Sequence, residues 1–266
     1  MIHRTPSLRK ILAATMLSCA STVVFAQATN SPVAIPQVSD AWRVSLTPYL
    51  WATGISGSVG YGGNQIASAS ISSGSILQAL KFGGMLEAEV HKGNFGFSMD
   101  LMYASLGKSG SRAPDNYVDL GSTTDVTQGV YTLAGTYTLF NSKNVYLDAL
   151  AGARIFSVSS TTNFSVNGFQ VGYTQSSNTT SVDPIVGLKG RVRIAESDYF
   201  IPFYADVGGG GGTTQLTSQA FLGAGRAFDW GDVQLGVKNL YYSQKNQNVT
   251  TNLNFMGVAA GVTFRF

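Results

Sequence analysis

The last segment of the chain alternates two kinds of side chain with a period of two residues. One face carries the apolar residues Met256, Val258, Ala260, Val262, Phe264 and Phe266, and the other carries Gly257, Ala259, Gly261, Thr263 and Arg265. A period of two is that of a β-strand, in which successive side chains point to opposite faces. The same alternation recurs in FGFSMDLMY at 95–103 and in VDPIVGLKGRVRI at 182–194. The pattern therefore predicts an all-β chain whose strands have one apolar face.

Alternation alone fits a soluble β-sandwich as well as a membrane-spanning barrel. Further features favour the barrel. The alternating segments run to about ten residues or more, which is enough to cross a bilayer when tilted. Charged residues make up 12% of the sequence, about half the share in a typical soluble domain. Aromatic residues cluster at the segment ends, as membrane interfaces require: Trp42, Trp51, Phe140, Tyr146, Tyr199, Phe200, Trp230, Phe264 and Phe266.

The connections between the segments are short and long in turn. We predict ten strands at 42–53, 81–91, 95–106, 124–140, 144–159, 181–194, 199–208, 214–229, 232–244 and 252–266. Four turns are short (HKGN, NSKN, AESD and DWGD), whereas 54–80 and 160–180 are long. This asymmetry predicts a transmembrane antiparallel up-and-down β-barrel over 42–266 with both termini periplasmic. Eight or twelve strands stay open, because 54–80 has room for a hairpin and a short helix.

The first 26 residues have the composition of a signal peptide. Arg4, Arg9 and Lys10 precede an apolar run at 11–24, and Val-Phe-Ala at 24–26 is a small-x-small cleavage site. The competing interpretation makes Cys19 a lipidated N-terminal cysteine. We predict cleavage after residue 26, a short periplasmic segment at 27–41, and a final location in the outer membrane. The rest of the sequence contains no run of 18 consecutive apolar residues, so we predict no transmembrane helix.

Removal of the signal peptide changes the charge and the reactive groups that remain. Three of the 17 basic residues lie in it and none of the 14 acidic residues does, so the mature chain carries 14 of each. A formal charge of zero argues against a nucleic-acid partner. Cys19 and His3 are also removed, leaving one histidine, His91. We therefore predict no disulfide, no thiol nucleophile and no zinc site built from Cys and His. We also predict no cofactor.

His91 bears on enzyme activity as well. It stands beside the turn residues 92–94, where we expect an interfacial position at the periplasmic end. Outer-membrane enzymes that cut lipids or peptides commonly place a histidine near Ser or Asp at the extracellular rim. We predict that the protein is not an enzyme and has no catalytic residues, although a hydrolase built on carboxylates alone is left open.

Strand phase also predicts which charged residues face the lumen. The full set is Glu87, Glu89, Asp100, Asp148, Arg154, Asp183, Lys189, Arg191, Arg193, Asp206, Lys238 and Arg265. Acidic residues concentrate on one side of this barrel and basic residues on the other. Ten strands leave a narrow lumen, so we expect pairs to meet across it near the periplasmic end, for example Arg191 with Glu89. The alternative is that these charges line water. The glycine run 208–212 predicts a flexible turn.

The chain resembles a large family of uncharacterised outer-membrane β-barrel proteins of Gram-negative bacteria. The residues that carry the likeness are SLTPYLWATGISGSVG at 45–60, LDALAGARIFSV at 147–158, VDPIVGLKGRV at 182–192, ADVGGGGG at 205–212 and GVTFRF at 261–266. Where relatives often have Gly-Tyr-Arg-Tyr, this chain has GVKNLYY at 236–242. The resemblance implies the fold and the location, with no catalytic residues.

A barrel of this kind implies a set of partners. They are outer-membrane lipid and lipopolysaccharide, and the barrel-assembly machinery, for which Phe264 and Phe266 form the assembly signal. We expect a monomer. Two functions remain open: a narrow porin-like conduit for small solutes, or a non-conducting barrel that acts in surface stability or adhesion through 54–80 and 160–180.

Overall fold

The computed structural model describes residues 34–112, 120–166 and 169–266. Within them it contains eleven strands and one short helix. The elements are β1 (Arg43–Tyr61), β2 (Asn64–Ile71), α1 (Ser73–Ala79), β3 (Leu80–Lys92), β4 (Phe95–Arg112), β5 (Leu120–Asn141), β6 (Val145–Val166), β7 (Phe169–Arg193), β8 (Tyr199–Gly208), β9 (Thr214–Phe228), β10 (Gly231–Asn246) and β11 (Val249–Arg265). The signal-peptide prediction at 1–26 and part of the 27–41 prediction lie outside these residues.

Ten strands close into an antiparallel up-and-down barrel, as predicted. The order around the wall is β1, β3, β4 and onward to β11, and β11 pairs back onto β1. Two backbone hydrogen bonds between Val44 and Phe266, of 2.9 and 3.3 Å, fasten the closing pair at its end. The remaining strand, β2, pairs only with the far half of β1, and α1 follows it. The hairpin and the short helix that the sequence left open in 54–80 therefore both occur.

The prediction of a long loop at 160–180 is wrong. Strands β6 and β7 continue through most of this range as a paired ribbon, with Ser157 opposite Thr180 and Thr161 opposite Ser176. The ribbon is rich in Ser, Thr and Asn, which reads as loop composition, but threonine is β-branched and fits a pleated strand. Strand β4 likewise continues past the predicted end at 106 to Arg112.

The outward face of the wall is apolar. Leu50, Leu188 and Val186 are 76%, 44% and 59% exposed and alternate with inward-facing residues. At the end of the four short turns, called here the short-turn end, aromatic rings contact one another: Phe95 with Tyr137 at 5.0 Å, and Trp230 with Phe264 at 5.7 Å between ring centroids. An apolar band edged by aromatic rings is the surface that a bilayer covers. No helix among the described residues has the length and apolar character needed to span a membrane.

Residues 34–40, called here the N-terminal strap, cross the mouth of the barrel at the short-turn end. Ala34 is 3% exposed and packs against the inward-facing Phe200 and Ala227. Asn141 donates a hydrogen bond of 2.7 Å to the carbonyl oxygen of Pro36. The backbone N–H of Gly93 donates one of 2.8 Å to the carbonyl oxygen of Ser39. The strap is thus fastened to two turns and inserts into the mouth.

Candidate functional site: the filled lumen

Inward-facing side chains fill the lumen in successive layers, starting behind the strap. The base layer consists of Asp232, Arg191 and Arg265. The carboxylate of Asp232 is fully buried; it accepts a hydrogen bond of 2.9 Å from Nη1 of Arg191 and forms an ion pair with Arg265. The Arg191 guanidinium also lies 4.4 Å from the ring centroid of Phe200. Arg191 lies on β7, Asp232 on β10 and Arg265 on β11. The layer therefore connects β7 to the neighbouring strands β10 and β11.

The next layer, called the carboxylate layer, consists of Glu87, Glu89, Lys189 and His91. Lys189 on β7 forms an ion pair with Glu89 on β3 and lies 3.6 Å from the nearer oxygen of Glu87. The Nε2 atom of His91 lies 3.2 Å from Glu89. His91 was expected at an interfacial turn, yet it is 5% exposed and faces the lumen. His91 lies two residues after Glu89 in β3, so its side chain points to the same face as the two glutamates. Strand phase therefore decides its orientation, although the turn follows closely.

Asp148 lies beside this layer without a hydrogen-bond partner. It is fully buried and stands opposite Lys189 in the strand register. Neither of its oxygens makes a hydrogen bond, and the same is true of the Thr136 hydroxyl and two guanidinium nitrogens of Arg43. Buried polar groups of this kind are ordinarily satisfied by ordered water. This part of the lumen therefore offers polar atoms to which water molecules would bind.

The central layer crosses the whole lumen. Lys238 on β10 donates hydrogen bonds to Asp100 on β4 and to the Tyr49 hydroxyl, at 2.9 and 2.8 Å. Tyr49 in turn donates to the other oxygen of Asp100 at 2.6 Å. Both ends of the ion pair are largely buried, with side-chain exposures of 7% for the lysine and 14% for the aspartate. Opposite charges on strands across the barrel thus meet directly.

Arg154 forms the other half of the central layer. Its buried guanidinium pairs with Asp206 and donates to the hydroxyls of Thr132 and Thr217 at 3.2 and 3.1 Å. The side chain of Gln219 joins the two halves: its oxygen accepts from Arg154 and its nitrogen donates to Asp100, each at 3.3 Å. The central layer is therefore one continuous network.

An apolar layer seals the central layer on the side away from the short turns. Its buried members are Trp51, Met102, Val130, Phe156, Leu240, Tyr242, Phe255 and Ala259. Trp51 follows Tyr49 by two residues, Met102 follows Asp100, and Leu240 follows Lys238. The alternation that points the polar residues inward therefore points these residues inward one step farther along the barrel.

Two of the charged residues predicted to face the lumen, Asp183 and Arg193, form hydrogen bonds with residues of the chain connections. Asp183 accepts hydrogen bonds from the Ser181 hydroxyl and from the backbone N–H of Gly211, the latter at 3.0 Å. This bond contacts the glycine run 208–212, and the flexibility predicted for that turn stays a prediction. Arg193 donates to the carbonyl oxygen of Ser197, which lies in the turn after β7. Neither residue joins the layers described above.

Sequence reasoning missed several members of the layers. Asp232 was assigned to the turn DWGD, although it shares the inward phase of Lys238 six residues later. The expected pairing of Arg191 with Glu89 does not occur, because Asp232 takes the arginine and Lys189 takes the glutamate. Among the described residues, no group of three or more His, Cys, Asp or Glu side chains is arranged to hold a metal ion.

No protein family model and no curated protein matches the chain. Among solved structures, the chain is similar to the attachment invasion locus protein Ail of Yersinia pestis, with 12% identity, a TM-score of 0.36, and coverage of 84% of this chain and 99% of that one. It is also similar to the outer-membrane protease OmpT of Escherichia coli, with 12% identity, a TM-score of 0.42, and coverage of 87% and 99%. For the translocator domain of the autotransporter NalP of Neisseria meningitidis, the identity is 13%, the TM-score is 0.38, and the coverage is 97% of this chain and 96% of that one. At TM-scores below 0.5 these likenesses carry no inference about what the chain does.

Proposed function

We propose that the protein is an outer-membrane barrel with a closed lumen, which acts at the cell surface through the strands that extend beyond the membrane. The observation that carries the proposal is the filling of the lumen from wall to wall: the strap, the base layer, the central layer and the apolar layer follow one another along the axis. A lumen of about ten strands has little space beyond that taken by side chains.

The membrane location rests on the outward apolar band and the aromatic rings at its edge. We expect the protein to fractionate with the outer membrane. It should run faster on gels when unheated than when boiled, because a closed barrel resists unfolding by detergent. Recovery as a soluble periplasmic protein, or identical mobility before and after boiling, would count against the location.

The surface role rests on the length and composition of the β6–β7 ribbon. β6 has 22 residues and β7 has 25, whereas about 9 to 11 tilted residues cross a bilayer. The stretch 157–182 contains no Lys, Arg, His, Asp or Glu. Its described residues 157–163 and 175–182 are mainly Ser, Thr, Asn and Gln, so this part offers uncharged hydroxyl and amide groups. With periplasmic short turns, this ribbon projects into the medium, where it contacts uncharged polar partners.

Shortening the ribbon tests the surface role. Val158 and Thr179 are opposite each other in the register, so residues 159–178 can be replaced by a two-residue Asn-Gly turn. We expect the barrel to form with its heat-dependent mobility intact, while the producing cells are retained less on a surface coated with dextran, an uncharged polysaccharide. Cells that produce the Leu188→Ile protein serve as the control. Unchanged retention after the ribbon is shortened would contradict the surface role.

The second candidate is a narrow conduit for small solutes. It is supported by the buried polar atoms of Asp148, Thr136 and Arg43 that have no partner, because a hydrated space near one mouth is the start of a pathway. Deletion of the strap, residues 34–40, separates the candidates. A conduit predicts that the deletion raises sugar influx into vesicles, whereas a closed lumen predicts no influx because the central and apolar layers remain.

A further inference from the structure

The barrel wall has a seam between β1 and β3. The two strands pair from Arg43 opposite His91 only as far as Pro48 opposite Leu86. Beyond this point, 49–54 of β1 pair with β11 alone, and 80–85 of β3 pair with β4 alone, within the part of the chain that the structure describes. Strand β2 joins β1 only from Ile55 onward. Shorter interruptions lie at 47–48 between β1 and β11 and at 201–202 between β8 and β9, so the seam is the longest interruption among the described strands.

The rims of the seam carry exposed apolar side chains, and α1 borders the seam at its far end, where it contacts β1 and β4. Leu50 is 76% exposed on the β1 rim, and Phe82 is 65% exposed on the β3 rim. Beside Gly84 there is open space, since a Cβ added there would meet no atom within 4 Å. A stretch of unpaired strand backbone surrounded by hydrocarbon is costly unless something covers it.

The inner side of the seam leads to the apolar layer. Trp51 lies on the β1 rim and faces inward, and Met85 on the β3 rim packs against the same layer. Trp51 is 9% exposed, and its indole N–H is buried without an acceptor. A buried donor of this kind favours a ligand that brings an oxygen acceptor into apolar surroundings.

The position of the seam along β1 matches one half of a bilayer. Residues 49–54 are the seventh to twelfth residues of β1, and about 9 to 11 residues complete a crossing. The seam therefore lies in the half of the membrane away from the short turns. That half contains lipid acyl chains, and their ester carbonyls lie toward its surface.

We propose that the seam is a lateral opening through which an acyl chain of a bilayer lipid enters the wall and contacts Trp51. The chain covers the unpaired edges of β1 and β3, and the ester carbonyl supplies the acceptor that the indole N–H lacks. The inference requires that the barrel lies in a membrane, and it is independent of whether the lumen conducts ions.

Quenching of Trp51 fluorescence by brominated lipid tests the opening. The chain has three tryptophans, so Trp42→Phe with Trp230→Phe leaves Trp51 as the only one. In vesicles of phosphatidylcholine with brominated acyl chains, Trp51 is expected to lose most of the emission that it has in unbrominated vesicles. The matched control adds Trp51→Phe and Phe156→Trp, which moves the indole to the same layer behind the continuous wall of β5, β6 and β7. The control is expected to lose little emission.

Closing the seam with a covalent bridge is the second test of the opening. In a Cys19→Ser background, Leu50→Cys and Gly84→Cys are bridged by a short bis-maleimide, which should restore the emission of Trp51. The same bridge between Leu188→Cys and Ala205→Cys, which are paired in the intact wall, should leave the quenching unchanged. Heat-dependent gel mobility verifies that each variant has folded. Equal quenching at the two tryptophan positions, absence of quenching at Trp51, or quenching that persists after the seam is bridged would overturn the proposal.

Discussion

At the scale of single residues, the role of each charge is set by its phase in the strand and by the partners across the lumen. Asp100 and Lys238 lie on β4 and β10, far apart in sequence, and each neutralises the other where water is scarce. Arg193 has the same inward phase as Arg191 but stands one step nearer the turn, and there it bonds to a backbone carbonyl. Residue type alone does not distinguish these two arginines.

The central pair is expected to respond asymmetrically to substitution. Lys238→Met leaves the buried carboxylate of Asp100 without its cation, and such a loss costs about 3–5 kcal/mol. Adding Asp100→Asn removes the stranded charge, so the double variant should recover part of the unfolding free energy. Urea unfolding in lipid vesicles measures both. A double variant less stable than Lys238→Met would show that the pair is not the stabilising contact.

The phase of the charged residues was predictable from the sequence, but their pairing was not. Inward and outward faces follow from the two-residue period, and the described structure places Lys189 and Asp100 inward and Leu188 outward. Which residues meet depends on how far each strand is displaced relative to those across the lumen. That displacement is a property of the closed barrel and leaves no local signal, which is why Asp232 was missed.

At the scale of elements, the short-turn ends of the strands were predictable and the far ends were not. Turns such as HKGN and DWGD contain Gly, Asn and Asp, which fix the chain reversal locally. The far ends consist of Ser, Thr and Asn, which suit a loop and an extended strand equally, so the β6–β7 ribbon was expected as a loop. Pro48 indicates an irregularity in β1 from the sequence alone, because proline has no N–H to donate to a neighbouring strand. The β1–β11 ladder is interrupted at 47–48.

The outward face of β7 gives a test of strand phase. Leu188→Arg places a cation on the lipid-facing surface near mid-membrane, at a cost of about 2–4 kcal/mol. Leu188→Met, at the same position, keeps the side chain apolar and should be nearly neutral. Folding yield into vesicles, read as the fraction with heat-dependent mobility, compares the two. Equal yields would contradict the assignment of this face to lipid.

At the scale of the whole molecule, the barrel combines a wall that suits a membrane with an interior that resembles a protein core. The strands pair around the whole barrel, with the seam as the longest interruption, and the layers inside the wall join strands from opposite sides. The paired side chains of the central layer lie across the barrel axis. The strands differ most in length at the far end, where β6 and β7 extend beyond β8.

Ionic conductance of the wild-type protein in a planar bilayer tests the closed lumen most directly. The layers predict that insertion of the folded barrel produces no steady conductance step, because ion passage would require the central and apolar layers to separate together. Insertion is verified by recovery of heat-modifiable protein from the same membranes. A large and steady conductance step for each inserted barrel would contradict the closed lumen and favour the conduit.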